Sequence, residues 1–220
     1  MDGQLLSAIE GQIDQLARDY AAVPGLILTE DDLKCLLHSR LSGMSDLSGD
    51  FETRDPGIRA TRVHSEVSWF DAQGKLTIKP DLTVLDPANL RILEGDSRGA
   101  RLPSKCFEFS GDAVVLELKF IRHKAGVTEH LFRTQILRDW EKVQRLFARL
   151  DSQGPPDSMF CFFVIFNKGT ATCREFEQFL SANASSFRHK VMYRSGGVFP
   201  GGPAAAPAPS RPNRLPASSR

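Results

Sequence analysis

An acid and an amine lie close together in one apolar segment of the sequence, residues 113–120, which read AVVLELKF. Alternation along a β-strand would put Glu117 and Lys119 on one face and four apolar side chains on the other. An isolated charge in apolar surroundings is costly. Taken alone, the pattern therefore favours an ordinary Glu–Lys pair on the solvated face of a strand.

A second acid within an apolar strand changes this interpretation. Residues 75–85 alternate as a strand and contain Pro80-Asp81. Proline removes a hydrogen-bond donor from the ladder and is typical of an edge or a bulge, and bulges often redirect a side chain beside an active site. Residues 62–70 predict the preceding strand, and residues 71–74, DAQG, predict the hairpin turn between the two strands.

This hairpin would gather charged groups on one face. The register set by the turn would place Glu66 opposite Lys79 and His64 opposite Asp81, and paired residues project to the same side. If the third strand neighbours the second, Glu117 and Lys119 join them. Clustered carboxylates need a cation, and a site made only of oxygen ligands suits Mg²⁺ or Mn²⁺.

The combination of Pro80-Asp81 with Glu117-Leu118-Lys119 resembles the signature of the PD-(D/E)XK nuclease superfamily, which includes restriction endonucleases, Holliday-junction resolvases and repair exonucleases. The resemblance covers residues 29–167. It implies an α/β protein with a restriction-endonuclease-like αβββαβ core, a mixed sheet flanked by helices, and here an extra N-terminal helix. The separation of 36 residues between Asp81 and Glu117 departs from the family pattern and requires an insertion between the second and third strands.

The resemblance also implies roles for these residues. Asp81 and Glu117 would hold Mg²⁺ or Mn²⁺, and the metal ion would neutralise the scissile phosphate and activate water. Lys119 would lie near the attacking water or the charge that develops on phosphorus. The chain is then expected to be a metal-dependent nuclease, a phosphodiester hydrolase that acts on DNA rather than RNA.

A nuclease-fold module that binds nucleic acid or a protein partner without cutting is the alternative, although all three signature residues are present. By analogy, a bacterial defence or repair role is expected, with a targeting protein or a homo-oligomer supplying specificity.

A further acid often completes the family's site, and the sequence leaves its identity open. Glu30 lies at the start of a predicted helix, where acids already suit the helix dipole and where Asp32 serves as a capping residue. Glu66 is the rival, and the hairpin register, which puts it near Asp81, favours it slightly.

Two other groups of polar residues follow the Glu-Leu-Lys strand. Arg122, His123 and Lys124 would bind phosphates that flank the cut, although a solvated basic loop is an equally good interpretation. Gln135 lies on the next helix, where some family members place a Gln in the site. The accompanying Tyr four residues later is absent, since position 139 is Asp, so a surface position is expected for Gln135.

The elements that position these residues can be predicted from hydrophobic periodicity. Helices are expected over residues 4–22, from an N-cap at Thr29 to Gly43, over 129–150 and over 172–185. Residues 159–166 (MFCFFVIF) predict a buried strand, and residues 190–193 predict an edge strand. The polar stretch 87–112 is too long for a plain turn and suggests a lid, an insertion or a loop.

Composition narrows the class of protein. The chain has 220 residues, of which 41% are hydrophobic and 25% charged, as in an ordinary globular domain rather than a disordered or fibrous chain. No apolar run reaches the roughly 20 residues that a membrane span needs. The four cysteines form no CxxC pair, which argues against a zinc site or a disulfide framework and favours the reducing cytoplasm.

Charge is distributed unevenly along the chain. The net charge is +1, but the first 186 residues carry 22 basic and 27 acidic residues, a balance of −5. Nucleic-acid binding must therefore depend on a local patch, on metal ions or on the basic C-terminal end. We assign residues 1–194 to the nuclease-like domain and residues 195–220, rich in Pro and Ala, to a disordered tail.

Overall fold

The structure is a computed structural model that describes residues 2–70, 76–92, 107–151 and 159–196. Its helices are α1 (Gly3–Ala22), α2 (Glu30–Ser42), α3 (Glu129–Leu131), α4 (Leu137–Asp151) and α5 (Arg174–Asn183), and a π-helical segment, Phe132–Ile136, joins α3 to α4. In these described ranges no helix combines the length and the apolar character that crossing a membrane requires.

Among the described residues, five strands form the central sheet, and six shorter strands pair beside it. The central strands are β3 (Val63–Ser65), β6 (Leu82–Leu85), β9 (Ala113–Ile121), β10 (Met159–Asn167) and β11 (His189–Ser195). The shorter strands are β1 (Phe51–Glu52), β2 (Arg59–Ala60), β4 (Trp69–Phe70), β5 (Leu76–Ile78), β7 (Leu90–Ile92) and β8 (Phe107–Phe109).

The central sheet is mixed and runs in the order β11-β10-β9-β6-β3. Strands β9, β10 and β11 are parallel, whereas β6 is antiparallel to β9 and β3 is antiparallel to β6. The structure thus confirms an α/β protein in which helices flank a mixed five-stranded sheet.

Alternation along β9 divides the interior into two cores. Ala113 and Val115 pack in the core that includes Trp140 of α4, whereas Leu116 and Leu118 pack in the core formed with α1 and α2. The β9 sequence dictates this division, because successive side chains of a strand point to opposite faces. Helices therefore cover both faces of the sheet, and the odd-numbered residues of β9 face α4.

The predicted start of α2 is confirmed. The Thr29 side chain accepts a hydrogen bond from the Asp32 amide at 3.0 Å, and the Asp32 carboxylate accepts one from the Thr29 amide at 2.9 Å. This reciprocal pair is a capping box, which fixes the first turn of a helix. It holds the next residue, Glu30, at the end of α2 that faces β9.

The two long strands predicted around the hairpin are each broken in two. Glu66 adopts a left-handed conformation with φ of 55° and ends β3, and its amide donates to the Asp81 carbonyl at 3.0 Å. Pro80 has no amide hydrogen, and the strand is interrupted between β5 and β6. The register therefore differs from the one predicted: His64 pairs with Thr83, so its predicted position opposite Asp81 is wrong.

Part of the polar stretch 87–112 is a β-hairpin arm. A 3₁₀ turn at Pro87–Asn89 leads into β7, and β8 returns antiparallel to it, with Leu90 opposite Phe109. Residues 93–106, between these strands, lie outside the described residues. The arm leaves the sheet and comes back to it, which explains how β6 and β9 are neighbours although Asp81 and Glu117 are far apart in the chain.

The last strand reaches the first residue of the predicted tail. Strand β11 extends to Ser195, and the Gly196 amide donates to the Asn167 carbonyl at the end of β10. Residues 195 and 196 therefore belong to the folded unit, because they complete the parallel ladder. The rest of the predicted tail, residues 197–220, lies outside the described residues.

A stability prediction follows from the turn between β9 and α3. Gly126 has φ of 65°, and a Cβ atom there would lie 2.1 Å from the Ala171 carbonyl oxygen. We expect Gly126→Ala to lower the free energy of unfolding by about 1–3 kcal/mol. Gly11→Ala is the control, since Gly11 lies in α1 with open space around it and should gain up to about 1 kcal/mol. Urea denaturation measures both, and a Gly126→Ala variant as stable as the parent would contradict the described turn.

Candidate active site

The two acids of the sequence motif lie beside each other across the β6–β9 pair. Leu82, the first residue of β6, pairs with Leu116, so one further position along this antiparallel register brings Asp81 level with Glu117. Leu82 and Leu116 face the core under α1 and α2, and alternation directs the two adjacent acids to the opposite face. Asp81, Glu117 and Lys119 thus share the side of the sheet that α4 covers.

Carboxylates replace a neighbouring strand along the end of β9. The ladder with β6 stops at Leu116, so the amides of Leu118 and Phe120 have no strand partner on that edge. Asp81 accepts from the Leu118 amide at 2.8 Å, and Glu30 accepts from the Phe120 amide at 3.0 Å. Because these amides are two residues apart on one edge, they hold the two carboxylates next to each other.

The negative charge of Glu117 is unfavourable in its surroundings. Its Oε2 atom is buried and has no hydrogen-bond partner. Burial raises the pKa of Glu117 to about 8, and the negative charges of Asp81 and Asp139 add to the effect. The carboxylate therefore needs either a proton or a cation.

Burial also disfavours the charged form of Asp81. Burial raises the pKa of Asp81 to about 6; the hydrogen bond from Leu118 opposes this rise, and the nearby Glu30 carboxylate adds to it. Two adjacent carboxylates with raised pKa values form a pair that a divalent cation would neutralise.

This donor set fits Mg²⁺ in one of its usual forms. Magnesium is commonly held by one or two carboxylates and keeps several water molecules or phosphate oxygens as its other ligands. Asp81 and Glu117 supply two such carboxylates, and the unpartnered Oε2 of Glu117 is an open ligand position. Within the described ranges there is no group of three or more His, Cys, Asp or Glu side chains placed to hold a metal ion. Any remaining ligands would therefore be water or substrate.

Lys119 is held by two carboxylates rather than by Glu117. Its ammonium lies 2.8 Å from Asp139 and 3.4 Å from Glu30, and its side chain is only 15% exposed. Burial lowers the pKa of Lys119, but the hydrogen bond to Asp139 and the charges of both acids outweigh it, so the pKa is raised. Lys119 therefore stays charged and cannot serve as a general base.

Asp139 is a site residue that the sequence argument missed. It lies on α4, is 8% exposed, and donates nothing: one oxygen accepts from Lys119 and the other from Lys142 at 2.6 Å. Burial raises the pKa of Asp139, and these two lysines lower it by more, so the net shift is downward. The available signal was an acid within the apolar stripe of a helix, between Ile136 and Val143.

The two candidates for the further acid occupy different surroundings. Both oxygens of Glu66 are taken, by Lys34 at 2.8 Å and Lys79 at 2.5 Å. The hydrogen bonds from these lysines lower the pKa of Glu66 to about 2. Glu66 therefore braces α2 against the β3–β5 segment, and Glu30 is the acid joined to Lys119 and the edge of β9.

An open cleft of about 760 Å³ lies beside the buried acids. Lys119 and Glu30 line this cleft, and their ion pair lies next to the two buried carboxylates. They therefore connect the Asp81–Glu117 pair with the cleft. The other polar lining residues are Thr29, Asp31, Arg122, His123 and Gln135. Gln135 is exposed, as expected, yet it faces this cleft. Lys124 is exposed and does not belong to the lining.

Comparison with known proteins gives no relative for the chain: no family model, curated protein or solved structure matches it. The chemistry of the site must therefore be argued from its own residues.

The pH dependence of stability tests the electrostatics of Glu117, which faces Asp81, Asp139, Lys119 and Lys142. Between about pH 4.5 and 8 the folded protein keeps a proton on Glu117 that the unfolded chain releases. Stability should therefore fall as the pH rises, by up to about 1.4 kcal/mol per pH unit.

Glu117→Gln removes this contribution. Without metal, we expect the variant to melt at a higher temperature than the parent at pH 8 and at a similar temperature near pH 4.5. Glu141→Gln, which changes an exposed acid on α4, is the matched control and should follow the parent at both pH values. Equal melting of parent and Glu117→Gln at pH 8 would show that Glu117 is well solvated.

Proposed function

We propose that this chain is a metal-dependent nuclease that hydrolyses phosphodiester bonds, with DNA as its substrate. One observation carries the proposal: a buried Glu117 oxygen without a partner lies beside Asp81, with the Lys119 ammonium on the same face. A restriction-endonuclease-like fold is part of the proposal. It is supported by the adjacency of β3, β6, β9 and β10 and by helices on both faces.

Asp81 and Glu117 would hold Mg²⁺ or Mn²⁺. Of the two further acids, Glu30 is the better placed, because its charge acts on Asp81 and it bonds to Lys119, whereas lysines occupy both oxygens of Glu66. When bound, the metal ion would polarise the scissile phosphate and lower the pKa of a water molecule. The protein supplies the rest of the site. Burial of the two carboxylates removes competing water, so each charge in the site acts more strongly than it would in solution.

Lys119 would stabilise the negative charge that develops on the phosphate. Its ammonium stays protonated and is held before the reaction begins, so little reorganisation is needed as charge accumulates. Because it remains charged, it does not remove a proton from the attacking water. That proton would leave to solvent or to substrate phosphate through the cleft.

The cleft beside Lys119 is the proposed path of the nucleic acid. Arg122 and His123 lie at its wall and would contact phosphates that flank the cut, with Lys124 further along the same loop. The body of the chain carries a net negative charge, so affinity should come from these local contacts and fall steeply with salt. A targeting protein or a homo-oligomer, and a role in bacterial defence or repair, are expected only from the family resemblance.

The alternative is a nuclease-fold module that binds nucleic acid or a protein partner without cutting. One observation favours it: the described residues bring together two carboxylates, and no cluster of three metal-ligating side chains. Lys119 would then be a structural ion pair with Asp139. The two functions differ in one respect that can be measured, which is cleavage in the presence of a divalent metal.

Cleavage of DNA tests the proposal. The purified protein should cut plasmid DNA with Mg²⁺ or Mn²⁺ and stop when EDTA removes the metal. Glu117→Gln should abolish the reaction, and Lys119→Ala should slow it by about 10²- to 10³-fold, the usual loss when a group that stabilises transition-state charge is removed. DNA binding should survive in both variants, because most affinity comes from other phosphate contacts.

Glu141→Gln serves as the control for expression and contaminating nuclease, since it changes an exposed acid and should cut like the parent. Cleavage that persists undiminished in Glu117→Gln and Lys119→Ala would remove the proposed site. A parent that binds DNA but never cuts it, with either metal, would favour the binding module.

A further inference from the structure

Lys119 has three acidic neighbours, and it is bonded to only two of them. Its ammonium lies 2.8 Å from Asp139 and 3.4 Å from Glu30. Glu117, two residues away on the same face, is close enough to affect Lys119 electrostatically, yet its buried Oε2 has no hydrogen-bond partner. Some feature of the site therefore keeps the Lys119 ammonium away from Glu117, the carboxylate with an unpartnered oxygen.

We propose that Asp139 is the positioning residue that holds Lys119 off Glu117, which leaves the Glu117 oxygen open to a divalent cation. This inference rests on the proposed nuclease function and adds a residue to it. A lysine is a flexible chain of four methylene groups with a compact charge, so its location depends on the partners it is given. Without Asp139, the ammonium would move to Glu117 and compete with the metal ion for that carboxylate.

Asp139 is better suited to this task than Glu30. Its side chain is 12% exposed, against 42% for Glu30, and a buried charge pair is screened less by water. The Glu30 oxygen nearest Lys119 also accepts the Phe120 amide, so it is shared between two donors. The contact of Lys119 with Asp139 is therefore shorter and less exposed to solvent than its contact with Glu30.

The fold fixes Asp139 over Glu117. Trp140, the next residue on α4, packs against Phe163 with ring centroids 5.5 Å apart, and Phe163 pairs with Glu117 in the sheet. One turn earlier the helix contains a π segment, in which the Leu137 amide bonds to the Phe132 carbonyl. Such wide turns occur often at functional sites. The second Asp139 oxygen is occupied by Lys142, whose side chain is 49% exposed.

The experiment is a double-mutant cycle on the full chain with Asp139→Asn, Lys119→Ala and both changes together. Two quantities are measured: steady-state cleavage of a DNA oligonucleotide with Mg²⁺, and affinity for Mn²⁺ without DNA from the loss of the free-ion signal in electron paramagnetic resonance. Glu141→Gln is the control, because it changes an exposed acid on the same helix.

We expect Asp139→Asn to lower kcat about 10- to 100-fold and to weaken Mn²⁺ binding, with little change in KM for DNA. In the Lys119→Ala background the same change should cost less than about twofold in either quantity, since the lysine through which Asp139 acts is gone. Glu141→Gln should stay close to the parent in both. A merely structural Asp139 would alter the melting temperature without this coupling.

Three results would each overturn the positioning role while leaving the nuclease intact. The first is an unchanged kcat in Asp139→Asn. The other two are a loss of kcat, or a loss of Mn²⁺ affinity, that is equal in the parent and in the Lys119→Ala background. If Asp139→Asn fails to fold, Asp139→Glu keeps the charge on a longer arm and should still lower kcat; parental kcat in that variant overturns the proposal. A parent that cuts no DNA overturns the proposed function, and the positioning role with it.

Discussion

Strand β9 is longer than the antiparallel strand beside it, and the rest of the site depends on that mismatch. Beyond Leu116, where the ladder with β6 stops, the amides of Leu118 and Phe120 still need acceptors, because a buried amide without a partner costs free energy. Asp81 and Glu30 provide them. The same bonds that complete the sheet edge therefore draw two carboxylates to the place where Glu117 and Lys119 emerge from β9.

This crowding sets the charges of the site. Asp81 and Glu117 are buried close together, and each is easier to protonate than an ordinary acid. Lys119 does not relieve them, since Asp139 and Glu30 hold its ammonium. The unrelieved charges of Asp81 and Glu117 lower the stability of the folded protein, as is common where a site is arranged for binding or catalysis. A divalent cation would restore the balance, which is why the geometry supports a metal-dependent function better than a purely structural one.

Local rules were enough to predict some of this arrangement. The alternation of residues 113–120 predicted β9 and its two faces, and Thr29 with Asp32 predicted the capping box of α2. The break at Glu66 was hidden, because a left-handed glutamate gives no local signal and depends on bonds to Asp81 and to distant lysines. Asp139 was missed for the same reason: its partner, Lys119, is brought close only by the packing of α4 on the sheet.

The most direct test of the account is whether one metal ion binds between Asp81 and Glu117. Anomalous diffraction from crystals soaked in Mn²⁺ locates the ion without assuming any activity. We predict a single site in which both carboxylates contact the metal, with the Glu117 oxygen that has no protein partner as one ligand and Lys119 still on Asp139. An absence of manganese at this place, with Glu117 bonded to Lys119, would contradict the account.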